Sequence, residues 1–371
     1  MSTVNKRISV SHPVFRGNEK QYVAECIDTV WISSIGKFIP LFENAFSSFC
    51  GVKHAIACNN GTSALHIALL ALGIGPGDEV LVPTLTYVAA ANAIHYCGAT
   101  PVFVDSDIKT MNIDPHLMES AITPQTRAIL VVHLYGQPAD MDEIMAIARR
   151  HGLFVIEDAA EAHGAKYKDK TVGSIGDIGT FSFFGNKIVT TGEGGMAVTN
   201  DSELEAKMRL FKGQGMDSTR RYWFPVIGYN YRMTNIQAAL GLAQMECIEE
   251  HIAAHRQVAS WYQEYLKPRH GTISLPLQHP DRTHAIWLYT VVLGDDIKRE
   301  RDTIMSDLAQ KGIETRPVFY PMHTMPPYYE QKSYPVAELL ARRGISLPTH
   351  GLLTEEDIRY IADSLQTACG N

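Results

Sequence analysis

Residues 182–196 read SFFGNKIVTTGEGGM. The run just before and into this stretch, TFSFF (180–184), is short, apolar and aromatic, which predicts a buried strand. Lys187 then falls just past the end of that strand, where the chain passes into glycine-rich loop. In open parallel sheets, ligands bind outside the carboxyl ends of the strands. A lysine amine at such an edge forms an imine with an aldehyde if its site lowers its pKa or removes its proton. The competing reading is a solvated loop lysine, the usual state of this residue type. The choice turns on what else reaches the same edge.

Working outward, short apolar runs recur: EVLVP (79–83), TPVFVD (100–105), AILVVHLYG (128–136) and LFVIED (153–158). Helical segments such as GTSALHIALLALG, stopped by Gly73, and MDEIMAIARRHG separate them. GNEKQYVAECIDTV reads as a further short helix with Tyr22, Val23, Cys26, Ile27 and Val30 on one face. Strands alternating with helices predict a mainly parallel sheet covered on both faces. The rhythm changes near residue 235. NIQAALGLAQMECIEEHIAAHRQVASWYQEYL reads as one long helix, followed by WLYTVVL, RDTIMSDLAQKG, IETRPVF and a last helix in TEEDIRYIADSLQTA. A chain of 371 residues exceeds what one core usually supports. The expected division is a large domain over 1–245 and a smaller C-terminal α/β domain over 246–371.

Composition narrows the function classes. The net charge of −7 argues against a nucleic-acid or anionic-membrane binder. No apolar run approaches the roughly 20 residues of a bilayer span, and MSTVNKRISVSHP has no apolar signal-peptide core. The six cysteines form no CxxC pair, which suggests reduced thiols in a cytoplasmic protein without a zinc site.

Two other stretches bear on the edge where Lys187 is expected. NNGTSALHIALLAL puts Asn59, Asn60, Gly61, Thr62 and Ser63 at a helix start. Its free N–H groups and dipole suit an anion, and its side chains equally suit plain capping. LFVIEDAAEAHG sets Glu157, Asp158 and Glu161 just past a strand, as partners for a cationic ring nitrogen or a metal, or as helix-capping acids. GIGPGDE and GNKIVTTGEGG match neither a dinucleotide fingerprint nor a P-loop. An anion cup, an acid and a lysine at strand ends together suggest pyridoxal phosphate (PLP): phosphate on the helix start, acid on the pyridine nitrogen, lysine on the aldehyde.

SFFGNKIVTTGEGGM, EDAAEAHGA, NNGTSALHIALLALGIGPGDEV and GYNYRMTNIQAALGLAQ, in this order, resemble the DegT/DnrJ/EryC1/StrS nucleotide-sugar aminotransferases. The resemblance spans essentially the whole chain and implies the PLP-dependent aspartate-aminotransferase fold, fold type I. It makes Lys187 the Schiff-base lysine and Asp158 the pyridinium partner. Gly61, Thr62 and Ser182 would bind the cofactor phosphate, and Tyr87 in PTLTYVAA would stack on the ring. Asn230 would reach the phosphate of a neighbouring subunit's cofactor, which implies a homodimer with shared sites. Glu161 stands where many members carry Gln or His near the cofactor's phenolic oxygen.

WISSIGKFI, GQGMDSTRRYWFPVIGYNYRMTN and RPVFYPMHTMPPY are similar to members that act on GDP-4-keto-6-deoxy-D-mannose with L-glutamate as amino donor. The same reaction on a UDP- or dTDP-linked keto sugar is the nearest alternative. Relatives that replace the lysine with His become 3-dehydratases, so Lys187 favours amino transfer. Arg232 and Arg316 are candidates for the glutamate carboxylate, since a guanidinium fork matches it. Each could equally form a structural salt bridge. Trp31, Ser33, Arg220, Arg221, Tyr320 and His323 are candidates for the nucleotide sugar, with His323 open to a purely structural role. The resemblance also suggests surface-polysaccharide or O-antigen synthesis.

Overall fold

A computed structural model describes residues 7–267 and 272–370; residues 1–6 of the N-terminal stretch read above lie outside it. Its larger sheet has seven strands in the order His54–Cys58, Gly195–Thr199, Ile178–Ser182, Phe154–Asp158, Thr126–Val132, Glu79–Pro83, Thr100–Val104. Gly195–Thr199 runs antiparallel to both its neighbours, and the other pairings are parallel. The strands are buried on both faces, as runs such as VLVP and AILVV require. His54–Cys58 and Gly195–Thr199 are strands that the sequence reading did not find. HAIAC is short, and GMAVT opens on the glycine loop, so neither has a flanking pattern that separates it from loop.

The parallel register gathers several chain segments at one edge. Asp158 pairs with Val132 on one side and Thr180 on the other, so Ser182 lies two residues beyond. The reversed strand begins at the same edge, with Gly195 paired to both Cys58 and Ser182. The helix Gly61–Ala71 therefore starts there too. Asn60 caps it by accepting from the Ser63 N–H at 2.8 Å, and Gly73 follows its end at φ +79°.

A second, antiparallel sheet has the order Ile273–Ser274, Tyr289–Leu293, Gly344–Leu347, Arg316–Pro317. Buried residues form two hydrophobic clusters. One surrounds the seven-stranded sheet. The other includes Val258, Tyr262, Tyr289, Ile345 and Ile361, joined by Ile8 from the other end of the chain. Ile8 docks by backbone hydrogen bonds with Gly312 and Glu314.

Two helical expectations need correction. The long helix is two, Asn235–Glu246 and Ile248–Tyr265, broken at Cys247 (φ −113°, ψ 17°). The Cys247 N–H turns back to the Gln244 carbonyl in a tightened last turn, and Glu249 and Glu250 open a new helix with favourable charge. The first helix is Glu19–Asp28, and only Cys26 of the expected apolar face is fully buried. Val30 adopts φ +56° after the helix ends, and it and Ile27 face outward.

Candidate active site

The carboxyl edge of the large sheet opens into a cavity of about 540 Å³ whose lining includes Gly61, Thr62, Ser182, Asp158, Glu161 and Lys187. At the helix start, Asn60 occupies the N–H groups of Ser63 and Ala64. Gly61 and Thr62 keep the first-turn N–H groups that have no intrahelical acceptor. The backbone there is packed closely. A Cβ on Gly195 would stand 2.2 Å from the Asn60 carbonyl oxygen, and one on Gly61 would meet the Ser182 Cβ at 3.0 Å. Glycine at both positions lets the strands and the helix start approach, so that bare N–H groups and the Ser182 hydroxyl share one small cup. That cup suits a phosphate.

Lys187 is held over the opposite part of the cavity. Its N–H donates to the Phe184 carbonyl at 2.9 Å. Its Nζ lies 3.6 Å from Glu161 Oε1 and 3.7 Å from the centre of the Trp287 ring. Burial lowers its pKa; the Glu161 and Asp158 carboxylates oppose that shift, and Arg316 adds to it. Burial raises the pKa of Asp158, offset by the Ala160 N–H, which donates to it at 3.1 Å, and by Lys187. Burial likewise raises Glu161, offset by Lys187 and by the Tyr135 N–H, which donates to Oε2 at 2.7 Å. The cluster thus combines an amine pushed toward neutrality with two carboxyls pushed toward holding protons. Such a set can trade protons at low cost.

Glu157, one residue before Asp158, points the other way, as strand alternation requires. It accepts from the backbone N–H groups of Gly173, Ile175 and Gly176, and lies 3.0 Å from His133 Nε2 with both side chains fully buried. Burial acts to raise its pKa, but His133 and these N–H groups prevail and hold it low. It ties a loop to the sheet, and Asp158 alone of the pair lines the cavity.

The remaining sequence candidates divide. Tyr87 and Arg316 line the cavity, Tyr87 largely exposed with its ring 5.8 Å from that of Phe319. Asn230 is exposed, and its backbone bridges to Gly213. Arg232 is half-buried beside Cys58. Arg220 and Arg221 lie over the rings of Trp223 and Tyr222 on the surface. The carbonyls of Trp31 and Ser33 anchor Asn235, leaving both side chains exposed. Tyr320 and His323 line a separate open groove of about 640 Å³. His323 is buried there, 2.8 Å from Thr84 Oγ1 and 3.4 Å from Glu338 Oε1.

Residues 13–366 match the DegT/DnrJ/EryC1/StrS aminotransferase family. The chain belongs to that family. Two similar proteins are called GDP-perosamine synthase. The one from Caulobacter vibrioides is 58% identical, over 97% of this chain and 97% of that protein. The one from Escherichia coli is 51% identical, over 97% and 98%. The fold is also that of solved family structures. An aminotransferase from Psychrobacter cryohalolentis superposes with a TM-score of 0.92 at 34% identity, covering 98% of this chain and 99% of that one. A sugar aminotransferase of Streptococcus pneumoniae in its PLP form gives 0.93 at 27% identity, over 98% and 99%.

Within this family site, sequence reasoning missed the aromatic wall. Trp287 donates from Nε1 to the Asn186 carbonyl at 2.7 Å, beside Lys187. Tyr135 stacks on both Trp287 and Phe319, at 6.2 and 5.5 Å between ring centres. Trp287 opens the run WLYTVVL, which reads only as a strand. The one local signal in HLYG was the glycine after Tyr135, where the chain turns at φ +55° and +97°.

Proposed function

We propose that this chain is a PLP-dependent 4-aminotransferase that moves the amino group of L-glutamate to C4 of GDP-4-keto-6-deoxy-D-mannose. The products are 2-oxoglutarate and GDP-perosamine. The observation that carries the reading is the convergence of Lys187, Asp158 and the Gly61–Ser182 cup in one cavity, with Gly195 keeping the cup open. These residues fit PLP. Lys187 would hold its aldehyde, Asp158 its ring nitrogen, Gly61, Thr62 and Ser182 its phosphate, and Tyr87 one face of the ring. The cofactor supplies an electrophilic carbon and a ring that accepts an electron pair.

The chain's own groups supply the rest. Lys187 Nζ takes the α-proton of glutamate and later returns a proton to C4 of the sugar, as covalent anchor and general acid–base. Burial pushes Asp158 toward holding its proton, and a cationic ring nitrogen beside it would keep it charged and be held in register by it. Arg316 in the cavity, or Arg232, half-buried beside Cys58, receives the glutamate carboxylate. Trp31, Ser33, Arg220, Arg221 and Tyr320 are assigned to the nucleotide sugar, whereas His323, buried between Thr84 and Glu338, takes the structural role instead. The GDP carrier rests on the two synthase relatives.

A homodimer with shared sites forms part of this reading. Ile27, Val30, Trp31, Ile32, Ile35, Tyr222, Trp223, Phe224 and Ile227 are all exposed. So much apolar surface favours cover by a second copy, and Asn230 would then enter the neighbour's site. The division into 1–245 and 246–371 is retained as a proposal, as are a cytoplasmic location and a role in O-antigen or lipopolysaccharide synthesis. Among the described residues no helix is long and apolar enough to cross a membrane.

The test is an absorbance spectrum of the PLP-loaded protein. Its visible band should fall on adding L-glutamate and return on adding GDP-4-keto-6-deoxy-D-mannose. Return only with a UDP- or dTDP-sugar would replace the substrate and keep the chemistry. Absence of any band would remove the cofactor assignment.

A further inference from the structure

We propose that Glu161 is the charge-setting partner of Lys187: its carboxylate, fixed by the Tyr135 N–H, governs when the lysine nitrogen gives up its proton. This rests on Lys187 being the cofactor-bearing amine.

The argument is geometric first. Glu161 uses its two oxygens differently. Oε2 accepts from the Tyr135 N–H at 2.7 Å, which pins the carboxylate plane. Oε1 is left 3.6 Å from Lys187 Nζ. Tyr135 holds its N–H there in a left-handed backbone conformation (φ +55°). Gly136 behind it leaves no room for a Cβ, which would stand 2.9 Å from the Glu161 carbonyl oxygen. The pair is largely buried, with side chains 11% and 7% exposed. Charge in such a place is weakly screened.

Other charged groups face the same nitrogen. Asp158 approaches from the strand end and shares the attraction, and Arg316 approaches from the smaller sheet and opposes it. The Trp287 ring lies against Nζ on the remaining side. His163 and the Tyr135 hydroxyl are buried nearby; burial and Lys187 push His163 to about 3, so it stays neutral, and burial raises Tyr135. Asp158 would hold the ring nitrogen of the bound cofactor. Glu161 would then be the carboxylate left beside the lysine, with Lys187 opposing the burial that pushes it toward holding a proton. A neutral Gln or His at this position would supply a hydrogen bond without that charge. Glu161 therefore acts through Lys187, as a positioning residue that sets a proton equilibrium.

The experiment titrates the visible band of PLP-loaded wild type and E161Q from pH 5 to 10. Glutamine preserves the shape and the acceptor for the Tyr135 N–H, so a merely structural role leaves the midpoint in place. Loss of a negative neighbour makes the nitrogen easier to deprotonate. The midpoint should fall by about one to three pH units. In the cofactor-free proteins, the pH at which Lys187 reacts with acetic anhydride, read by mass spectrometry, should fall in the same direction. E161D keeps the charge on a shorter arm and should show a smaller shift in both. Unchanged midpoints in E161Q would overturn the proposal, by the spectrum or, if E161Q takes up no PLP, by the acetylation profile. A wild type with no visible band would instead remove the cofactor assignment, while the acetylation comparison would still decide the Glu161 pairing.

Discussion

Gly195→Ala probes the cup with a single methyl group. The added Cβ would lie 2.2 Å from the Asn60 carbonyl oxygen, 2.4 Å from its carbon and 2.7 Å from the Gly61 nitrogen. All three are backbone atoms, so no side chain can rotate away. Ordinary contact requires the strand and the helix start to separate by about 1.2 Å. Gly195 is hydrogen-bonded into the sheet between Cys58 and Ser182, so the movement falls on residues 60–62, where the phosphate would sit. Overpacking of this kind costs about 1–3 kcal/mol. If half of that cost appears in the bound state alone, cofactor affinity drops by roughly two- to tenfold. Two measurements check this: urea unfolding of the cofactor-free protein, and a PLP titration followed by absorbance. Alanine should lower the unfolding midpoint and weaken PLP binding together. A variant with wild-type PLP affinity would refute the placement of the phosphate between Gly61 and Ser182. Unchanged stability would refute the close approach itself.

Three further outcomes follow from the same geometry. Lys187→Ala should abolish the visible band and all turnover while leaving the unfolding midpoint near or above wild type, because a buried amine is removed; retained turnover would end its role as the reacting amine. Asp158→Asn should cut kcat by roughly a hundredfold or more with a smaller change in KM for glutamate, measured by steady-state kinetics; a change in KM alone would make it a binding residue only. Glu157→Gln should cost about 3 kcal/mol or more at pH 7, because it weakens the acceptor for three N–H groups and His133. The folded pKa of Glu157 lies below its ordinary value of 4.5. Its stabilisation is therefore complete above that value and lost as pH falls through the folded one. Urea unfolding should show the gap between wild type and variant narrowing below pH 4.5; a gap independent of pH would contradict an ionised Glu157.

Much of the site can be read from local pattern. A lysine after an apolar strand, acids after another, and a helix opening with NNGTS each carry their meaning in a few neighbouring residues. Strand periodicity places Glu157 and Asp158 on opposite sides, but not which of them meets the cavity. That is decided by the loop at 173–176, whose N–H groups claim Glu157. The break at Cys247 was hidden because its flanks are helical on both sides, and backbone bonding alone separates them.

The order of short strands, the alternation with helices and the chemistry of Lys187, Asp158 and Gly61 are properties of sequence, because they depend on side-chain type and on spacing within one element. The meeting of these residues is not. It depends on the reversed strand Gly195–Thr199 threading between His54–Cys58 and Ile178–Ser182, and on Trp287 and Arg316 arriving from the second sheet. Register across strands is set by long-range backbone pairing and packing, which no local run of residues encodes, so only the tertiary structure decides which lysine faces which acid.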